Sequence, residues 1–152
     1  MEGVVLAGGY ATRLRPTSLS VSKHLVPLAN KPVIGWVLEQ LSAAGIKRVH
    51  IVVGPHNREQ IAEYVGDGSK FGVSAEYVLQ ERPLGIAHAL SLLEGRIGGD
   101  FVVYLGDNLV QGGITRYTKR FEETGVEAMV LLKEVEDPTR FGVAVFDGGG
   151  RL

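Results

Sequence analysis

Residues able to grip a polyphosphate follow the apolar runs of this sequence. After Val4-Val5-Leu6-Ala7 come Gly8 and Gly9, then Thr12 and Arg13. Adjacent glycines let the backbone approach a ligand closely and leave N–H groups free to face an anion. Thr12 adds a hydroxyl, and Arg13 a planar, permanently charged fork suited to phosphate oxygens. The same residues also suit a tight strand-to-loop turn with surface arginines. Lys23, in a loop bounded by Pro16 and Pro27, is either a second phosphate contact or a solvated surface lysine. Asp107 ends the run Phe101-Val102-Val103-Tyr104-Leu105-Gly106. Its carboxylate is a hard oxygen donor of the kind magnesium takes together with substrate phosphates, and Asp-Asn after a strand equally serves as a turn cap. Gln80 both donates and accepts, as reading a pyrimidine edge requires, or is a polar residue at a strand end. His88 is read as packing or as a supporting hydrogen bond.

Two familiar phosphate loops are excluded. The dinucleotide fingerprint needs a third glycine opening a helix and an acid at the end of the next strand. Here the loop runs into Pro16, and the second strand ends Val52-Val53-Gly54-Pro55. The Gly-x-x-x-x-Gly-Lys-Ser/Thr loop is also missing.

The elements that must position these residues follow from hydrophobic pattern. Apolar runs predict strands at 4–7, 49–53, 73–79 (at a sheet margin), 101–105, 128–132 and 143–146. Val33-Ile34, Val37-Leu38 and Leu41 recur at helical spacing, with Gly45 closing the helix. Further helices are predicted to about Val65, capped by Asn57, from about Ile86 to Glu94 after Pro83-Leu84-Gly85, and over roughly 114–123. Residues 8–31 read as a long loop, and Asp137-Pro138 and 147–150 as turns. Strand and helix alternate, which predicts a layered α/β domain with a mostly parallel sheet. Ligands bind beyond the carboxyl ends of such strands, where the glycine loop and Gly106-Asp107-Asn108 both fall.

Composition narrows the function classes. The 152 residues suit one domain, and a net charge of −1 gives no broad positive field for nucleic acid or anionic lipid. With no cysteine, disulfides and thiolate metal sites are excluded, which fits a cytoplasmic protein. The first residues carry an acid and a short apolar run, unlike a signal peptide, and no run is long enough to span a membrane.

Read in order, Gly8-Gly9-x-x-Thr12-Arg13-Leu14-x-Pro16, Ser22-Lys23-x-Leu25-x-Pro27, Asn30-Lys31-Pro32, Gly66-Asp67-Gly68-Ser69, Gln80 with Pro83-x-Gly85, Leu105-Gly106-Asp107-Asn108 and Asp137-Pro138-x-x-Phe141-Gly142-Val143 resemble the signature of the sugar-phosphate nucleotidyltransferases. The Ser22-Lys23 pair, the Gly-Asp-Gly-Ser turn and the Gly-Asp-Asn element point to the glucose-1-phosphate thymidylyltransferase branch. The resemblance implies a Rossmann-like three-layer α/β/α fold with a mostly parallel mixed sheet, residues 1–152 being its N-terminal part. It implies a nucleoside triphosphate (dTTP) and a sugar 1-phosphate as substrates, Mg2+ as cofactor, no nucleic-acid or membrane partner, and a homo-oligomer as one possible state. Leu6, Gly8, Gly9, Thr12, Arg13, Gln80, Pro83 and Gly85 would hold the nucleotide, and Asn108 and Gly142 the sugar. Arg13, Lys23 and Asp107 would carry catalysis, with the metal on Asp107.

The implied chemistry is attack of a sugar-phosphate oxygen on the nucleotide α-phosphorus. Alternatives are a uridylyl or other nucleotidyl transfer, or a nucleotide-binding module without turnover. The family pattern continues beyond residue 152 with a glutamate–lysine pair and a second metal-binding aspartate. A truncated enzyme, impaired alone, is therefore the expectation.

Overall fold

The computed structural model describes residues 1–9 and 22–149. The chain forms two compact units, Met1–Lys119 and Arg120–Leu152.

The first unit is built on four strands, β1 (Glu2–Ala7), β4 (Arg48–Val53), β5 (Ser74–Leu79) and β6 (Phe101–Leu105), in the order β5-β4-β1-β6 with every neighbour parallel. A two-residue hairpin, β2 (Pro27–Leu28) with β3 (Lys31–Pro32), and a 3-10 turn at Lys23–Leu25 order part of the stretch expected as loop. The helices are α1 (Val33–Ala43), α2 (Arg58–Val65), α3 (Ile86–Ser91) and α4 (Thr115–Thr124), the last crossing the boundary between the units.

Strand periodicity of two divides the core. Val5, Ala7, Val49, Ile51 and Val53 point to one face, where Ile34, Val37, Leu38 and Leu41 of α1 and Ile61 and Val65 of α2 cover them. Those α1 positions are spaced i, i+3, i+4, i+7, which is why one stripe of the helix is fully buried. Each such Ile or Leu contributes on the order of 1.5–3 kcal/mol by leaving water. Val4, Val52 and Val78 point the other way and pack on Ala89 of α3 and Leu93. The result is the expected three-layer α/β/α arrangement. The second layer is thinner: Phe101, Val103 and Leu105 of β6, in register with Glu2, Val4 and Leu6, stay exposed.

The unit Arg120–Leu152 departs from expectation. Residues 128–132 and 143–146 do not form strands. Val130, Leu132, Val143 and Val145 are exposed, Val145 at 79%. An apolar run becomes a strand when a neighbour pairs its backbone and a second layer covers its side chains, and the described residues of this unit provide neither. Its regular structure is the end of α4 and a 3-10 turn, Pro138–Arg140, which the Asp137 carboxylate caps by accepting from Thr139 N at 3.0 Å. No helix among the described residues is long and apolar enough to cross a membrane.

Candidate functional site

The carboxyl ends of β1, β4, β5 and β6 meet around a small set of polar groups. Parallel pairing fixes this: β1 ends at Ala7 opposite Val53, and Leu6 lies opposite Leu105. Whatever follows those residues emerges on the same side. Gly8 and Gly9 follow β1, Gly54 follows β4, Gln80 follows β5, and Gly106, Asp107 and Asn108 follow β6.

Close approach explains the glycines at two of these exits. A Cβ on Gly106 would lie 3.0 Å from His24 Cδ2 and 3.1 Å from Leu6 O, so β6 leaves the sheet hard against β1, its N–H donating to Leu6 O at 2.9 Å. A Cβ on Gly8 would lie 2.8 Å from Gln80 Oε1. The bare backbone there lets Gln80 reach across β4 to β1.

Lys23 and Asp107, 84 residues apart in sequence, form an ion pair and hydrogen bond. The Lys23 ammonium also sits 3.5 Å from where a Gly9 Cβ would be. Both side chains keep access to solvent, 22% and 32% exposed, so either can exchange its partner for a ligand. Asn108 is exposed next to Asp107, its N–H on Leu105 O at 3.1 Å. Gln80 is buried; its Nε2 donates to Gly85 O at 3.2 Å and lies 3.0 Å from His88 Nδ1. His88 thus touches Gln80 as a supporting hydrogen bond would. Pro83 and Gly85 occupy the exposed approach to α3. Leu6, half-buried, packs on the α3 face.

Thr12 and Arg13 lie outside the described residues. Gly142 belongs to the unit Arg120–Leu152, in an exposed stretch where an added Cβ would touch nothing.

Two residues that the sequence does not assign to the site shape it: His24, and Asn57, expected as a helix cap. His24 is 1% exposed, with Nδ1 3.0 Å from Ser22 Oγ. Burial pushes it down to about 4, the adjacent Lys23 charge acting in the same direction, so the ring is neutral at pH 7 and supports the site by packing beneath Gly106. Asn57 stands at the N-cap position of α2 yet makes no capping bond from its side chain. It turns inward instead, accepting from Gly54 N at 3.0 Å and donating to Ala7 O at 2.7 Å. The available signal was position: Gly54-Pro55-His56-Asn57 follows a buried strand just as Gly106-Asp107-Asn108 does.

Among the described residues no three His, Cys, Asp or Glu side chains gather into a metal-holding cluster. One accessible carboxylate fits magnesium bound largely through substrate phosphates and water, not a cation held in a protein cage.

A family model described as "Nucleotidyl transferase" matches residues 2–152. A low-salt glycan biosynthesis nucleotidyltransferase of Haloferax volcanii is 42% identical over 153 residues, covering 100% of this chain and 43% of its own length. A glucose-1-phosphate thymidylyltransferase of Streptomyces antibioticus is 46% identical over 154 residues, again covering 100% of this chain and 43% of its own. A Bacillus anthracis crystal structure, described provisionally as a glucose-1-phosphate thymidylyltransferase, superposes with a TM-score of 0.90 at 38% identity, over 97% of this chain and 61% of that one. The chain thus spans under half the length of the two curated relatives.

Proposed function

Because the chain belongs to the nucleotidyl transferase family, we propose that its protein transfers a nucleotidyl group from a nucleoside triphosphate to a sugar 1-phosphate, with dTTP and glucose 1-phosphate as the pair. The observation that carries this reading is the Lys23–Asp107 pair, laid beside Gly9 at the carboxyl end of a parallel sheet. It supports the reading because a cation suited to phosphate and a carboxylate suited to a metal lie within hydrogen-bond reach of each other. The choice of base rests on the thymidylyltransferase relatives and on Gln80, whose amide can both give and take a hydrogen bond with a pyrimidine edge.

A sugar-phosphate oxygen attacks the α-phosphorus; the new P–O bond forms as the bond to the β-phosphate oxygen breaks, and pyrophosphate leaves. Two anions must be brought together, so alignment and charge neutralisation dominate, with no covalent enzyme intermediate. Lys23 and Asp107 neutralise each other until a polyphosphate competes for the ammonium and frees the carboxylate. Lys23 then holds phosphate at the reacting centre, and Arg13 the departing pyrophosphate. Gly8 and Gly9 bring backbone against the nucleotide, Leu6 lies by the base or ribose, and Thr12 offers its hydroxyl. Gln80, held by Gly85 O, faces the base. Asn108 and Gly142 serve the sugar. Magnesium on Asp107 and the substrate phosphates, when bound, supplies charge neutralisation and a template for in-line displacement.

The test is pyrophosphate release by the full-length protein with glucose 1-phosphate and each of dTTP, UTP, CTP and GTP, with magnesium and with chelator. The expected result is metal-dependent release, fastest with dTTP. Equal rates for all four would defeat the base assignment, and no release with any of them would defeat the reaction itself.

A further inference from the structure

We propose that His88 is a positioning residue for base recognition, holding the Gln80 amide so that only its oxygen faces the nucleotide. Gln80 is the first residue after β5, its N–H still donating to Val53 O at 2.8 Å, and it is 6% exposed. An amide nitrogen carries two hydrogens and accepts nothing. Here Nε2 meets Gly85 O at 3.2 Å and His88 Nδ1 at 3.0 Å. A carbonyl can only accept, so Gly85 O fixes which end of the amide is nitrogen. His88 Nδ1 must then take the second hydrogen on its lone pair. Both hydrogens are spent inside the protein, and Oε1 is what remains. Among the described residues no donor meets it, and it lies against the bare backbone of Gly8, 2.8 Å from where a Cβ would be.

Both anchors belong to one short element. Gly85 opens α3 at φ 99°, a conformation glycine adopts without strain, and its carbonyl also accepts from Ala89 N at 3.1 Å. His88 is half-buried three residues on, and Ala89 beside it is seated in the core with Val4, Val52 and Val78. The ring is thus carried by a helix packed on the sheet, which holds it more firmly than a free loop would. An amide bound at both hydrogens keeps one orientation, and it offers the base an acceptor. Thymine and uracil carry a hydrogen on the ring nitrogen between their two carbonyls, which suits that acceptor. Cytosine has a bare acceptor at the same place, and two acceptors face to face leave each other unpaired. The two-way capacity of the amide is narrowed to one direction. The inference rests on the proposed reading of the base by Gln80.

The experiment is calorimetric titration of the full-length protein with dTTP and with dCTP, each with magnesium and without sugar phosphate. The proteins are the wild type, His88→Leu, His88→Asn, Gln80→Leu and the double variant Gln80→Leu with His88→Leu. The two nucleotides share sugar and triphosphate, so their affinity ratio reports the base. His88→Leu keeps bulk but removes the acceptor, and should lower the preference for dTTP about fivefold, the scale of one hydrogen bond. An asparagine sets Oδ1 where Nδ1 stands, so His88→Asn should bring the ratio to within about twofold of the wild type. Gln80→Leu should lower the preference at least as far as His88→Leu does. Adding His88→Leu to it should change the ratio less than about twofold, because His88 acts through Gln80. If His88→Leu fails to fold, His88→Ala, which also deletes the acceptor, carries the same expectation. A wild-type ratio in folded His88→Leu, no recovery in folded His88→Asn, or a further fall in the double variant overturns the positioning role alone. No preference in the wild type, or an unchanged ratio in Gln80→Leu, removes the base reading, and the inference with it.

Discussion

The two ends of the parallel sheet both carry charge, and they use it differently. At the amino end, Glu2 of β1, Arg48 and His50 of β4 and Glu76 of β5 form a ladder across three strands. His50 Nε2 lies 2.8 Å from Glu2 Oε2, and Arg48 reaches Glu76 at 3.1 Å. The His50 hydrogen bond, aided by the Gly98 N–H and the Arg48 charge, holds the Glu2 carboxyl below its usual range. His50 Nδ1 lies 3.3 Å from Glu76 Oε2 but without hydrogen-bond geometry. At the carboxyl end the described residues hold one ion pair, Lys23–Asp107, beside the exposed backbone of Gly9. Charge density does not separate the two ends. Backbone access at Gly9 and a replaceable partner do, and on them rests the proposal that the carboxyl end is the working one.

The comparison breaks most sharply at Asp107. Asp107→Asn and Lys23→Gln should each lower pyrophosphate release by about 10²- to 10³-fold, the scale of losing one charge-stabilising group. The thermal midpoint should move by less than about 4 °C, since the pair is partly exposed. Full activity in a folded Asp107→Asn would make the carboxylate a mere turn cap.

Next in size is the acid limb of stability. His24 titrates at about 4 when folded against 6.5 as the reference value. Between those values the unfolded chain binds a proton that the folded one refuses, so stability present above pH 6.5 is lost as the pH falls toward 4. The gap amounts to roughly 3 kcal/mol. Denaturant melts in chelator from pH 7 to 4 should show that slope, and His24→Gln should flatten it. An unaltered slope in the variant would reject burial of His24 as its cause.

At the opposite end, His50→Leu should cost about 1–3 kcal/mol, since it removes the hydrogen bond to Glu2 Oε2. Pyrophosphate release per folded molecule should not change. Arg48→Ala is the smallest effect. Arg48 is 49% exposed, so its two ion pairs should be worth under about 1 kcal/mol in urea melts, and less at high salt. A marked loss of turnover from either substitution would erase the distinction between the ends.

Much of this was legible in one dimension. β1, β4 and β6 each carry an apolar run (4–7, 51–53, 101–105) followed by glycine, while β5 interleaves Ser74 and Glu76, and the spacing of these strands with helices points to a parallel sheet with its ligand side at the strands' carboxyl ends. The motifs carrying Gly8, Gln80 and Asp107 were readable because each follows such an end, and Lys23 because of the proline-bounded loop that carries it. Asn57 was misread in role, as a helix cap, because the cap and the inward-turned amide share one sequence signature. His24 gave no local sign of burial; that depends on Gly106, far along the chain. Residues 128–132 and 143–146 carry strand-like composition but form no strand, because pairing and cover are not properties of the run itself.

The sequence by itself determined which segments are apolar enough to become strands, which exits are bare enough to admit a ligand, and which side chains could bear phosphate or metal. Only the tertiary structure decided that Lys23 meets Asp107, that Gln80 crosses to Gly8, and that the amide of Asn57 joins three segments. Those outcomes depend on strand order and register, and these arise from burying surfaces far apart in the chain, which no local pattern records.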